Sequence, residues 1–118
     1  MHYYVIVPAH NEEGFLADTL NSILRQSLQP KRVVVVNDNS TDNTEAIIDQ
    51  FVTLSPIFQK LNTTSSTEHM PGSKVVNAFN KGLQLLDEDY DFIVKLDADV
   101  ILPDNYFEKI VYIFRGQP

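Results

Sequence analysis

The run Arg32-Val33-Val34-Val35-Val36-Asn37 constrains this chain more than any other, because it is β-branched without interruption and offers no polar face. A strand of that kind is covered on both sides, which places it at the centre of a parallel sheet flanked by helices. The neighbouring segments supply the rest of such a fold. Tyr3 to Pro8 is a second apolar run, and Leu16, Leu20, Ile23 and Leu24 then recur at helical spacing. Gln29-Pro30 breaks the chain before the valine strand, and Asp42-x-x-Glu45 after it reads as a capping box opening a helix with Thr44, Ile47, Ile48 and Phe51 on one face. Ile57 to Leu61 is expected to be a third strand and Asn62 to Pro71 a loop, with a third helix after Gly72 carried by Val75, Phe79, Gly82, Leu83 and Leu86. Tyr90 to Leu96 is expected as the fourth strand, and Pro103 suits the first turn of a last helix running to about Phe114. Four βα units in succession predict an α/β fold, a doubly wound, mostly parallel, right-handed sheet with helices on both faces.

With 118 residues, 43% of them hydrophobic, there is room for one domain with a modest core. Cysteine is absent, which excludes disulfides and thiolate metal sites and leaves oxygen and imidazole ligands. The first residues lack a basic segment and are stopped by Pro8, so they read as a strand and not as a signal peptide. No apolar run approaches the roughly 18 residues of a membrane span, so no membrane segment is expected in this chain. A net charge of -7 with only nine Lys and Arg argues against nucleic acid as a partner. It equally repels a small anionic ligand, unless a divalent cation reverses the local sign.

Chemistry in doubly wound sheets lies outside the carboxyl ends of the strands, near the point where strand order reverses. Three informative segments fall at such ends: Pro8-Ala9-His10-Asn11-Glu12, Asn37-Asp38-Asn39-Ser40-Thr41-Asp42, and Leu96-Asp97-Ala98-Asp99. The last sets two carboxylates one residue apart where an apolar run stops. Carboxylates that close repel unless a cation or a proton sits between them, and an oxygen-only pair suits Mg2+ or Mn2+ carrying a phosphate ligand. On local sequence alone, each of these residues also reads as an ordinary turn former.

Taken together the segments resemble the nucleotide-binding half of family 2 glycosyltransferases, GT-A fold enzymes that use nucleotide-diphospho-sugar donors. Val5-Ile6-Val7-Pro8-Ala9-His10-Asn11-Glu12-Glu13 is similar to the family's opening strand and "PAYNEE" segment, and Val35-Val36-Asn37-Asp38-Asn39-Ser40-Thr41-Asp42-Asn43-Thr44 to its "VVDDGSTDGT". Asn77-Ala78-Phe79-Asn80-Lys81-Gly82-Leu83 resembles the "A-x-N-x-G-L" helix, and Asp97-Ala98-Asp99 its metal-binding D-x-D. The order and spacing match from Val5 to about Phe107.

The resemblance implies roles residue by residue. Pro8, Ala9, His10, Glu12, Asp38, Lys74, Asp97, Ala98 and Asp99 would line the nucleotide-sugar site. Asp38 would accept from the N3-H of a uracil-type base, His10 would lie flat against that base, and Glu12 would meet a ribose hydroxyl. Asp99 would bind the metal, and Asp97 would join it or hold a ribose hydroxyl, with Mn2+ or Mg2+ drawing charge from the departing nucleotide. Lys74 would add a positive charge beside the phosphates, although it stands about one position off the family's usual basic residue and also reads as a surface lysine. Lys95 is out of place in a strand expected to be buried.

The same resemblance implies an inverting transfer from a donor, UDP-sugar favoured, to a saccharide or lipid-linked acceptor. It implies a cytoplasmic location, at the inner face of the membrane for the full-length protein, and points toward cell-envelope polysaccharide. Asn37 departs from the family's first acid, and Asn39 and Asn43 stand where it has glycines; Asn tolerates left-handed backbone, so both turns are expected to survive. Family members continue well past the D-x-D into an acceptor half that supplies a general base. No residue of this chain is assigned that role, and the base is expected beyond Pro118. The chain is therefore expected to be a truncated part of a larger glycosyltransferase, residues 1–118 forming its donor-binding domain, inactive alone. Two rivals are a non-catalytic module that holds a nucleotide or a protein partner, and a phospho-acceptor receiver domain. A receiver domain carries its acidic pair after the first strand, where this chain has only Asn11-Glu12-Glu13. Neither G-x-G-x-x-G nor G-x-x-x-x-G-K-[ST] occurs, which disfavours dinucleotide oxidoreductases and P-loop NTPases.

Overall fold

The computed structural model describes residues 2–64 and 71–116, the side chains of residues 71–76 and 114–116 excepted. Strands and helices alternate as expected: β1 (Tyr3–Ala9), α1 (Leu16–Leu24), β2 (Arg32–Asp38), α2 (Thr44–Leu54), β3 (Phe58–Thr63), α3 (Pro71–Leu85), β4 (Phe92–Lys95) and α4 (Tyr106–Gly116). Every pairing is parallel, and the order across the sheet is β3-β2-β1-β4. The chain steps twice in one direction and then returns past β1 to β4. Right-handed crossovers put their helices on one face when the chain steps one way and on the other face when it steps back.

The packing follows that rule. Val33 and Val35 of β2 face a core built with Leu16, Leu20 and Ile23 of α1, Ile48 and Phe51 of α2, and Phe107 of α4. Val34 and Val36 point the other way, onto Ala78 of α3, with Phe79, Leu83 and Leu86 packed around it. The uninterrupted valine run is thus explained: each face of β2 has its own helix layer. Gly82 marks where α3 sits closest to the sheet, since a Cβ there would stand 2.9 Å from Ile6 Cγ2 and 3.2 Å from Val36 Cγ2.

The two ladders of β1 end at different heights. Pairing with β2 continues to Ala9↔Asn37, whereas pairing with β4 stops at Ile6↔Lys95, capped by Leu96 N–H donating to Ile6 O at 2.9 Å. By strand alternation Pro8 faces the same side as Ile6, where the ladder has already ended, so its missing N–H costs no pairing. Past that point β1 and β4 part company, at the place in the sheet where strand order reverses.

Several element ends differ from expectation. β3 runs on to Thr63 because Asn62 and Thr63 register with Asn37 and Asp38 and bond to their side chains, which satisfies groups that local sequence marks as loop. α3 begins at Pro71 itself, β4 keeps only four residues, and α4 starts at Tyr106 after a turn closed by Tyr106 N–H to Pro103 O at 3.1 Å. β4 is an edge strand and only half-buried, which removes the puzzle of Lys95. The expected capping box does not form, since the N-cap is Asn43 and makes no side-chain capping bond. Asp42 Oδ1 accepts from Thr44 N–H at 2.9 Å, but Glu45 turns away to Lys60 of β3 at 3.0 Å, a full counter-charge being the better partner.

Candidate functional site

The β1–α1 loop and the β2–α2 loop are laced together. Thr44 Oγ1 accepts from Glu12 N–H at 2.8 Å and donates to Asp42 Oδ1 at 2.5 Å, while Glu13 Oε2 accepts from Asn43 N–H at 3.1 Å. Asn11 Oδ1 accepts from Thr41 N–H at 2.8 Å, and Ser40 Oγ accepts from Asn11 N–H at 3.1 Å. Asn11 takes the left-handed backbone at φ 51° to do so, and Asn39 follows at φ 56°. The expectation for Asn39 therefore holds. Asn43 differs: its φ is -83°, so that turn needs no left-handed residue.

His10 and Asp38 are brought together. The Asp38 carbonyl oxygen accepts from His10 Nδ1–H at 2.7 Å, which fixes the tautomer with Nε2 as an acceptor. The Asp38 side chain is buried at the end of β2, and its Oδ1 accepts from Thr63 Oγ1–H at 3.1 Å. Thr63 thereby orients the carboxylate assigned to the base. Ala9 is buried beside it and Pro8 half-buried.

The D-x-D segment alternates sides. Leu96 and Ala98 are buried, whereas Asp97 and Asp99 are exposed. Burial of the alanine is fixed from α1: Ala98 O accepts from Thr19 Oγ1–H at 2.9 Å, which occupies its backbone carbonyl. Gln26 continues the brace, donating to Pro103 O at 2.6 Å and accepting from Phe107 N–H at 3.0 Å. Sequence reasoning missed Thr19 and Gln26 as supports of this segment. Their signal was present, since Thr19, Ser22 and Gln26 recur at helical spacing alongside the apolar stripe of α1 and all three are buried.

Glu12 joins the two halves. Its burial, and then the charge of Asp99, raise its carboxyl above the ordinary value, with Asp42 and Asp97 adding to the effect and His10 opposing it. Glu12, Asp97 and Asp99 thus share one negative potential at the open end of β1 and β4. Lys95 Nζ lies 2.9 Å from Asp97 Oδ1. Lys74 stands in the first turn of α3, where its side chain lies outside the described residues. Pro118, beyond which the general base is expected, also lies outside the described residues.

The donors fit a hard divalent cation: they are carboxylate oxygens only, and their mutual repulsion is what such a cation relieves. Among the described residues no three His, Cys, Asp or Glu side chains are grouped to enclose a metal. Mg2+ and Mn2+ sites of the phosphate-handling kind use one or two carboxylates and complete the shell with water and ligand oxygens, so the small donor set agrees with that class.

Residues 4–118 match the sequence profile described as glycosyl transferase family 2. The chain belongs to that family. Over 113 residues it is 26% identical to the poly-beta-1,6-N-acetyl-D-glucosamine synthase of Staphylococcus epidermidis, a match covering 96% of this chain and 25% of that protein. Among solved structures, residues 1–349 of Staphylococcus aureus TarS, in complex with UDP-GlcNAc, superpose with a TM-score of 0.78 at 25% identity, covering 98% of this chain and 32% of that one. The mannosyltransferase PcManGT from Pyrobaculum calidifontis, in complex with GDP-Man and Mn2+, gives a TM-score of 0.71 at 26% identity over 86% of this chain and 28% of that one. The family 2 chain described here therefore spans a quarter to a third of each of these relatives. No helix among its described residues is long and apolar enough to cross a membrane.

Proposed function

We propose that this chain binds a nucleotide-diphospho-sugar across the carboxyl ends of β1, β2 and β4, and that it is the donor-binding domain of a glycosyltransferase moving the sugar to an acceptor hydroxyl. The observation that carries the reading is that two polar groups of different kinds lie on either side of the point where β1 and β4 part. The Asp38–His10 pair stands on one side and Asp97 with Asp99 on the other. Complexes of TarS with UDP-GlcNAc and of PcManGT with GDP-Man and Mn2+ support a nucleotide-sugar donor.

On this reading Asp38, oriented by Thr63, accepts from the base, and His10 offers its ring beside it. Glu12 meets a ribose hydroxyl. Asp99, with Asp97, would hold Mn2+ or Mg2+, which supplies neutralisation of the charge that develops on the departing diphosphate. Lys74, at the first turn of α3, adds a cation on the phosphate side. Transfer is inverting, with the acceptor a saccharide or lipid-linked hydroxyl whose proton goes to a general base beyond Pro118. The name of the Staphylococcus epidermidis relative, a poly-beta-1,6-N-acetyl-D-glucosamine synthase, supports a polysaccharide product, and a cell-envelope setting at the cytoplasmic face belongs to the same reading.

Calorimetric titration of UDP, GDP and dTDP, with Mn2+ or with EDTA, tests this. UDP is expected to bind with Mn2+ and not with EDTA. Asp99→Asn is expected to weaken binding by more than the roughly tenfold that loss of even an outer-shell partner costs. Metal-independent binding of equal strength would sink the assignment of the D-x-D.

A further inference from the structure

Lys95 is the last residue of β4, and strand parity puts it on the same side as Asp97, away from buried Leu96 and Ala98. Its ammonium sits 2.9 Å from Asp97 Oδ1, and among the described residues it has no other ion-pair partner. Both side chains are substantially exposed, at 40% for Lys95 and 63% for Asp97, so the pair is not locked in by packing. The surroundings are otherwise acidic, with Asp99 and Glu12 sharing the same potential. Within this acidic strand end the chain itself provides a counter-charge to Asp97.

We propose that Lys95 is a resident counter-ion, which holds the Asp97 carboxylate until a divalent cation binds and is then exchanged for it. An ammonium and a dication cannot share one carboxylate at contact distance without strong repulsion. Lysine's flexible four-carbon stem lets it leave without moving the strand. Lys95 is thus a positioning residue that sets how readily the site accepts metal: it holds Asp97 in place, and it competes for it. The inference rests on Asp97 and Asp99 being the cation ligands.

Mn2+ binding to the chain without nucleotide, followed by electron paramagnetic resonance of free Mn2+, tests this in wild type, Lys95→Met, Asp97→Asn and the double variant. An exposed ion pair is worth a factor of about two to five in an equilibrium constant. Lys95→Met is expected to tighten Mn2+ binding by that factor in the wild-type background and to change nothing in the Asp97→Asn background. No gain, or an equal gain in both backgrounds, overturns the exchange in favour of a general field effect. Should Asp97→Asn bind Mn2+ too weakly to close the cycle, nitrogen-15 resonances of the lysine ammonium groups decide during a Mg2+ titration. The Lys95 signal is expected to move toward that of a solvated lysine as Mg2+ saturates, and an unmoved signal overturns the proposal. A wild-type chain that binds no divalent cation either alone or with UDP overturns the metal assignment and this inference together, whereas Mn2+ binding indifferent to Lys95→Met removes only the role of Lys95.

Discussion

Glu12 is a carboxyl kept where it is unfavourable. Burial and the neighbouring Asp99 raise it above its ordinary value of 4.5. A carboxyl raised in the folded state destabilises the fold once it ionises. The penalty is absent below pH 4.5, where folded and unfolded forms are both protonated, and is complete above the raised folded value. Glu12→Gln is therefore expected to raise stability against urea at neutral pH, with the gain vanishing below pH 4.5. Equal gains at both pH values would show that the carboxyl is not held up. Such a residue is retained at the cost of stability when a ligand needs it, which is how binding sites commonly differ from cores. The asparagines teach a related lesson. Asn11 and Asn39 both occupy left-handed backbone, but only Asn39 stood where the family's glycine announces the turn. Asn11 is driven there by bonds to Ser40 and Thr41, some thirty residues on, which no local pattern can show.

Gly82 decides how closely α3 can approach the sheet. A methyl at that position would press on Ile6 Cγ2 and Val36 Cγ2, and β-branched side chains in strands have little freedom to swing aside. Overpacking of this kind costs about 1–3 kcal/mol, offset by about 1 kcal/mol from the better helix propensity of alanine. Gly82→Ala is expected to lower stability by up to about 2 kcal/mol net in chemical denaturation. An unchanged midpoint would mean that α3 lifts off freely. Element existence and order were legible because apolar periodicity sets which residues must be covered. Element ends were not, because they are set by partners: Asp38 and Asn37 extend β3, and Lys60 takes Glu45 from the expected capping box.

Across the chain as a whole, a net charge of -7 sets the terms on which any phosphate ligand is admitted. Ligand that binds the folded state alone stabilises it by about 2.7 kcal/mol at a hundredfold excess over Kd, several degrees in Tm for a domain of this size. UDP with Mn2+ is expected to give that rise and UDP with EDTA none; a shift indifferent to metal would show that the acidic strand end is not where the diphosphate lies. Apart from Lys74 in the first turn of α3, the residues of the candidate site came from three separate stretches, each of which reads locally as a turn. The alternation of strands and helices, the two-faced burial of β2 and the family were all legible in the amino-acid order, because they follow from periodicity and from motifs contiguous along the chain. The bracing of the D-x-D segment by Thr19 and Gln26, the hold of Thr63 on Asp38, and the approach of Lys95 to Asp97 on an edge strand emerged only on folding. Those contacts depend on sheet order and on where one ladder stops short of its neighbour, and both arise from packing distant segments together.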